Sequence, residues 1–260
     1  MLLSTCSKIK YYPDVKLNPL SCDIAHRGGR NNTFPDNTLA GCKAALAMHD
    51  GVEVDIQISK DRSIWLSHSV EATDGFTSVG CFPELRDEEI EGIDSADGNP
   101  VKYSKLEDLI AWMAANAPNK YLCVDLKGWV PCSGNHLDID GMMRLEAEIV
   151  AQLGKKYLFD KQILIETETI TTLAQARKFS DEIGLYLNNY GKLEKGMLMA
   201  LKYRLHGISF KANFGDSLSR EYVDLYHKKG LRIIAWNLRN PADLNQMRNM
   251  GIDFIEYDFP

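Results

Sequence analysis

The sequence lacks the cysteine arrangements that mark small zinc-bound or disulfide-stapled domains. It has six cysteines in 260 residues, and none of them forms a Cys-x-x-Cys pair. Zinc ribbons and thioredoxin-like motifs need that pair, and small secreted scaffolds need a much higher cysteine density. Most of these cysteines are therefore expected to be small buried hydrophobes. Their positions are Cys6, Cys22, Cys42, Cys81, Cys123 and Cys132.

Positive charge and long apolar runs are also scarce. The formal net charge is −6 and there is no long basic run, which argues against a nucleic-acid partner. No run approaches the roughly 18 apolar residues of a transmembrane helix. The start resembles the lipidated cysteine region of bacterial lipoproteins at Leu3–Cys6, but lacks a charged n-region and a full apolar h-region. We therefore expect a cytoplasmic protein or, if the start is a trimmed lipoprotein signal, a periplasmic, membrane-anchored one.

What the sequence does have is an alternation of short β-branched runs with amphipathic stretches, which is typical of repeated βα units. Eight strand candidates follow one another, the number that closes a TIM (β/α)8 barrel. We predict an α/β fold with one barrel domain over residues 21–260, preceded by an N-terminal extension over residues 1–20. The strand candidates are Cys22–His26, Val52–Ile58, Tyr121–Lys127, Gln162–Thr167, Gly184–Asn188, Gly207–Lys211, Leu231–Asn237 and Ile252–Tyr257.

Helix signals lie between these strands, and two features depart from a plain barrel repeat. Residues 69–103 are too many for a simple loop and predict an insertion at the barrel mouth after the second strand. No helix signal follows the last strand, so the eighth helix is expected to be absent. The helix candidates are Asn37–His49, Ser104–Ala115 with a Ser-x-x-Glu capping box, Ile139–Leu153 ending before Gly154, Ser219–Lys229, and a last helix opened by Pro241.

Polar residues at the carboxyl ends of the strands are the candidate functional groups, because barrel enzymes place their catalytic groups there. The first strand ends in His26 and Arg27, followed by glycines that allow close backbone approach. In the second strand, a period of two puts Glu53 and Asp55 on one face. Two acids that point into an apolar barrel need a positive partner, and a divalent metal is the simplest one.

The third strand and two more segments complete the candidate site. Asp125 and Lys127 share a face near the end of that strand. Three carboxylates without a His or Cys cluster favour one hard cation, Mg²⁺ or Ca²⁺, over zinc. His68 follows a short run that could pair with the second strand, and with His26 it could supply the acid and the base for breaking a phosphorus–oxygen bond. Trp236, at the end of the seventh strand, could present an apolar wall to the substrate.

Together these groups suit a small phosphodiester. The cation would polarise a phosphoryl oxygen, and Arg27 and Lys127 would hold the rest of its charge. Glu166 and Glu168 share a face near another strand end without an evident partner, and we interpret them as solvated or structural. Lys211 is a weaker candidate for substrate contact.

These motifs, in this order, resemble the glycerophosphodiester phosphodiesterase family. The likeness spans residues 23–260 and rests on His26-Arg27-Gly28, Pro35-Asp36-Asn37-Thr38, Glu53-x-Asp55, His68, Asp125-x-Lys127, Trp236 and Tyr257-Asp258-Phe259-Pro260. It implies a TIM barrel that hydrolyses glycerophosphodiesters to glycerol 3-phosphate and an alcohol, using a divalent cation. It also implies that His26 and His68 are the acid–base pair. Glu53 and Asp55 would be metal ligands, and Lys127 would contact phosphate.

Three positions differ from the family pattern. Asp36 and Asp125 stand where Glu is usual, and Ser69 stands where Asp usually follows the second histidine. In Asp125 the chain is similar to sphingomyelinase D toxins, which leaves phospholipase D-like cleavage of a lysophospholipid or sphingomyelin as an alternative. An exposed apolar rim on the insertion would favour that activity, and with it membrane contact. A phosphate-binding barrel without turnover is the third possibility, although the retained histidines and carboxylates argue against it.

Overall fold

The computed structural model describes residues 21–29, 34–93, 103–128, 138–212 and 218–258. The strands are β1 (Cys22–Ala25), β2 (Gly51–Ile58), β3 (Ile64–Leu66), β4 (Glu71–Thr73), β5 (Ser78–Cys81), β6 (Tyr121–Leu126), β7 (Ile163–Thr167), β8 (Gly184–Asn188), β9 (Gly207–Lys211), β10 (Arg232–Leu238) and β11 (Phe254–Tyr257). The α-helices are α1 (Leu39–Leu46), α2 (Asp87–Glu91), α3 (Leu106–Asn116), α4 (Ile139–Lys156), α5 (Ile170–Phe179), α6 (Leu193–Tyr203), α7 (Arg220–Lys228) and α8 (Pro241–Met250). Short 3-10 helices lie at His26–Gly28, Phe82–Glu84 and Asp160–Gln162.

Eight of these strands run parallel and close into a barrel. Their order is β1, β2, β6, β7, β8, β9, β10 and β11, and β11 pairs back with β1. The predicted TIM barrel is confirmed, and no strand end differs from its predicted position by more than two residues. Helices α1 and α3 to α8 connect successive barrel strands, and in the described residues no helix follows β11. None of the helices that the structure describes is long and apolar enough to cross a membrane.

Alternation along the strands separates two cores. Outward-facing residues such as Val52, Val54 and Ile56 of β2 pack in the main apolar cluster beneath the helices. The inward-facing apolar residues form a second cluster of Ile24, Cys123, Leu164, Tyr186, Ile234 and Phe254. Two residues further along β7 and β11, the buried inward positions are acidic, at Glu166 and Glu256. The apolar filling of the barrel therefore stops below the mouth.

The segment after β2, made of β3 and the predicted insertion over residues 69–103, contains a small apolar cluster. β3 pairs antiparallel with the end of β2, and β4 pairs antiparallel with β5. Trp65, Phe82 and Ile90 pack together there and are almost fully buried. Cys81 is disulfide-bonded, unlike the buried free thiols of Cys42 and Cys123. Residues 94–102 of the insertion lie outside the described residues.

Several helix boundaries differ from their predictions, and α1 ends at Leu46, three residues before the predicted His49. At two other boundaries tertiary contacts account for the difference. The capping box at Ser104 is wrong, since α3 has no side-chain N-cap and the Ser104 hydroxyl instead accepts a hydrogen bond from the Leu39 N–H at 3.0 Å. Helix α4 continues through Gly154. A Cβ at Gly154 would lie 3.0 Å from side-chain atoms of Asp160 and Ile163, so packing accounts for this glycine, not a helix end.

Candidate active site

His26 lies where β1 ends, between two carboxylates. Its Nδ1 pairs with Asp258, and its Nε2 lies 3.7 Å from Oε2 of Glu53. Burial alone would lower the pKa of His26, but the charges of Glu53 and Asp258 outweigh burial and raise it above 6.5. The contacts therefore favour the protonated imidazole.

Arg27 directs both its backbone and its side chain at the acids of β2. It adopts the left-handed conformation, with φ of 54°, which is uncommon for a residue other than glycine. Its N–H donates to Oε2 of Glu53 at 2.8 Å, and its Nε lies 3.3 Å from Oδ2 of Asp55. Asp36 lies 3.7 Å from the same guanidinium. The strained turn is thus held by the acids that it faces.

Asp55 is fully buried and has the densest set of partners in the site. Lys127 pairs with one carboxylate oxygen, and Nδ2 of Asn37 donates to the other at 3.0 Å. Oδ1 of Asn37 in turn accepts from the Asp55 N–H at 2.9 Å. Burial opposes ionisation of Asp55, but Lys127 and Arg27 hold its pKa below 3.8. Asp55 is therefore a fixed negative charge.

Three further carboxyl groups converge next to it. Glu53, Asp125 and Glu166 each offer one oxygen, and these oxygens lie within 4.8 Å of one another. Asp125 is in register with Asp55 on one side and Glu166 on the other, and its Oδ2 lies 2.9 Å from Nζ of Lys127. Burial and crowding raise the pKa of Glu53 to about 7 and that of Glu166 to about 8.

Crowded carboxyl groups of this kind fit a cation. Oε2 of Glu166 is buried and accepts no hydrogen bond from the part of the chain that the structure describes. Buried carboxylates are normally paired or bound to a metal. The interpretation of Glu166 as a solvated group is therefore wrong, since only 2% of this residue is exposed.

His68 follows β3, and the predicted pairing of that run with β2 is confirmed. The Ser67 N–H donates to the Asp55 carbonyl oxygen at 3.0 Å, which fixes the backbone next to His68 beside the acids. Burial lowers the pKa of His68, and together with the positive charges of Lys127, Arg27 and His26 it outweighs the opposing charge of Asp55. His68 is thus biased toward the neutral form, in the opposite direction from His26.

An aromatic pair forms another part of the mouth. The rings of Trp236 and Tyr190 lie 5.8 Å apart at 77°, and Nζ of Lys211 lies 5.4 Å from the Trp236 ring centre. Nε1 of Trp236 is buried and donates no hydrogen bond within the described residues. The Tyr190 hydroxyl donates to Glu168 at 2.6 Å. A cavity of about 480 Å³ opens here, lined among others by Asp125, Lys127, Thr167, Glu168, Asn188 and Tyr190.

Four residues without a predicted role contact this site. Asn37 and Asp258 lay inside the quoted motifs, and Glu166 lay on a predicted inward face, so each carried a signal in the sequence. Tyr190 follows β8 and carried none. A barrel mouth with two histidines, basic side chains and buried carboxylates beside a cavity is typical of a hydrolase of phosphate esters.

Comparison with known proteins narrows this class to one family. The sequence model of the Glycerophosphoryl diester phosphodiesterase family matches residues 26–260, so the chain belongs to that family. A glycerophosphodiester phosphodiesterase of Caldanaerobacter subterraneus subsp. tengcongensis is 25% identical over 244 residues, covering 91% of this chain and 93% of that protein.

Solved structures show the same fold. A phosphodiesterase of Oleispira antarctica, solved in complex with the product sn-glycerol-3-phosphate, has a TM-score of 0.74 at 19% identity, covering 93% of this chain and 94% of the other. A glycerophosphodiester phosphodiesterase of Thermotoga maritima has a TM-score of 0.65 at 19% identity, covering 92% and 94%.

Proposed function

We propose that this chain hydrolyses glycerophosphodiesters to glycerol 3-phosphate and an alcohol, with one divalent cation, Mg²⁺ or Ca²⁺. The observation that carries the proposal is the convergence of buried carboxyl groups at a mouth that also holds two imidazoles with opposite pKa shifts. Family membership supports the substrate class. The product bound to the Oleispira antarctica phosphodiesterase also supports it.

The acids of the mouth are the proposed ligands of the cation. Glu53, Asp55 and Asp125 would hold it, and Glu166 would add a fourth carboxylate. An all-oxygen set of this kind suits a hard cation. When bound, the cation would polarise a phosphoryl oxygen and offset its charge.

The two histidines would move the protons. Neutral His68 takes the proton from the attacking oxygen, which comes from water or from a neighbouring glycerol hydroxyl. Protonated His26 gives its proton to the alcohol oxygen as the phosphorus–oxygen bond to that alcohol breaks. Asp258 pairs with Nδ1 of His26 and so orients the ring with its Nε2 toward Glu53. After this step His68 is protonated and His26 is neutral.

Basic and aromatic side chains would position the substrate. Arg27 and Lys127 lie among the acids and can donate to phosphate oxygens. Trp236 has a buried donor that lacks a partner within the described residues, and its ring packs with that of Tyr190. A polar donor beside aromatic rings suits a ligand with polar and apolar parts.

Release of glycerol 3-phosphate from purified diesters tests the proposal. We expect a chelator to abolish turnover, Mg²⁺ or Ca²⁺ to restore it, and His26→Ala or His68→Ala to lower kcat by about 10² or more. His227→Ala is the matched control, because His227 lies on α7 and contacts Asp253. Full turnover in chelator would remove the cation from the mechanism. Cation binding without turnover would support the non-catalytic barrel.

A lipid substrate is the second candidate because the insertion exposes apolar side chains. Phe76 and Val79, in the β4–β5 hairpin, are 72% and 48% exposed. Phospholipase D-like cleavage of lysophospholipid or sphingomyelin would use such side chains to contact a lipid surface. Hydrolysis of lysophosphatidylcholine micelles should then fall in Phe76→Ser while hydrolysis of glycerophosphocholine stays constant. Equal effects on both substrates would reject the lipid activity.

A further inference from the structure

A second group of metal-binding side chains lies inside the barrel. Cys123 on β6, Glu166 on β7 and Glu256 on β11 each offer one ligand atom, and these atoms lie within 4.8 Å of one another. The three residues are only 0%, 2% and 1% exposed. They are therefore shielded from bulk solvent on all sides.

Unpartnered polar atoms meet at this group. Oε2 of Glu166 and Oε1 of Glu256 accept no hydrogen bond of normal geometry from the described residues, and Oγ of Ser209 also lacks one there. Ser209 is fully buried and lies close enough to Glu166 for its hydroxyl to lower the pKa of that carboxyl group. It points into the barrel, because its neighbours Ile208 and Phe210 pack in the outer core. Buried polar atoms are almost always paired with good geometry, so several atoms without such a hydrogen bond at one place indicate a ligand.

Basic side chains do not supply that ligand. Arg27 and Lys127 both pair with Asp55. Among the residues that the structure describes, no salt bridge reaches Glu166 or Glu256. Buried carboxylates without a basic partner need a proton or a bound cation.

The spacing and chemistry of the group favour a transition metal. In a tetrahedral site with metal–sulfur and metal–oxygen distances of roughly 2.3 and 2.1 Å, the sulfur and oxygen atoms lie roughly 3.6 Å apart. Sγ of Cys123 donates a hydrogen bond to Oε1 of Glu166 at 3.6 Å, so the two atoms already lie at the spacing of ligands to one metal. A thiolate with two carboxylates selects a zinc-class ion over Mg²⁺ or Ca²⁺.

We propose that Cys123, Glu166 and Glu256, with Ser209 beside them, form a second cation site for a divalent transition metal of the zinc class. The site joins β6, β7 and β11 from inside the barrel and offsets the charge of its acids. Glu166 belongs to this inner group and to the carboxyl group at the mouth, so its carboxylate would bridge the two. The inner site does not depend on the proposed phosphodiesterase activity.

Cobalt spectroscopy tests the inner site directly. The whole chain is produced with added Co²⁺, purified without a metal-affinity column, and dialysed against a chelator. Cobalt bound by a thiolate gives a near-ultraviolet charge-transfer band, whereas the all-oxygen group at the mouth gives none. We expect wild type to retain about one equivalent of cobalt and to show this band.

Two variants and one matched control locate the metal. Cys123→Ser should lose the band, and Glu256→Gln should lose about one equivalent of cobalt with its circular dichroism unchanged. Cys42→Ser is the control, because Cys42 is also a buried free thiol but belongs to neither acid group. A folded wild type without the band overturns the proposal, as does equal cobalt content in wild type and Glu256→Gln. A band without diester hydrolysis would reject the proposed activity and leave the inner site standing.

Discussion

Replacing Asn37 tests whether the buried pairing with Asp55 holds the site together. Asn37→Ala removes a 3.0 Å hydrogen bond to a buried carboxylate, worth about 1.5–3 kcal/mol. It also leaves the buried Asp55 N–H without its 2.9 Å acceptor, which costs about 1–3 kcal/mol. Asn37 has φ of 55°, and alanine in that region costs about 1 kcal/mol more. Because these terms are not fully additive, we expect a loss of about 3–5 kcal/mol.

Glycine at the same position separates the two causes. Asn37→Gly loses the same hydrogen bonds but tolerates the positive φ, so it should be about 1 kcal/mol more stable than Asn37→Ala. Urea unfolding gives the free energies, and diester hydrolysis should fall at least tenfold in both variants because Asp55 is no longer fixed. Asn240→Ala, which removes only an exposed N-cap, should cost about 1 kcal/mol and leave activity intact. A loss below 1 kcal/mol in Asn37→Ala, or wild-type stability in Asn37→Gly, would refute this reasoning.

Three further substitutions probe separate contacts. Lys127→Met should lower the free energy of unfolding in urea by about 3 kcal/mol and abolish turnover, because it leaves Asp55 without its ammonium partner. Wild-type stability of this variant would contradict the prediction. Trp236→Ala should raise KM about tenfold with little change in the free energy of unfolding. A change in kcat alone would count against a binding role for Trp236. Burial raises the pKa of Glu146 to about 8, so the folded state keeps a proton that the unfolded chain loses above pH 4.5. Wild-type stability should therefore fall by as much as about 4 kcal/mol as pH rises from 4.5 to 8, and Glu146→Gln should flatten that fall in thermal melts at several pH values.

Strand alternation made the inward acids predictable, whereas long-range contacts did not follow from it. The period of two fixed the shared face of Glu53 and Asp55, and the pairing of β3 with β2 followed from a short apolar run before His68. Asn37 and Asp258 reach their partners across 18 and 232 residues, so no local pattern reports those contacts. Glu166 shows a further limit of sequence-based prediction. Strand alternation predicts which face of the sheet a side chain lies on, but not its height along the barrel axis. Only the register of β6 with β7 sets Glu166 beside Asp125.

The charges of the mouth explain how an acidic chain can hold an anionic substrate. Glu53, Asp55, Asp125, Glu166 and Asp258 face one another across Arg27, Lys127 and His26. If all eight groups are ionised, five negative charges oppose three positive ones, which leaves a surplus that repels phosphate. The proposed divalent cation would offset this surplus, and Glu166 offers it an oxygen that accepts no hydrogen bond from the described residues. Ion pairs to Arg27 and Lys127 alone would fix the acids but leave no positive charge for the diester. The proposed cation would turn a closed salt-bridge network into a phosphate site.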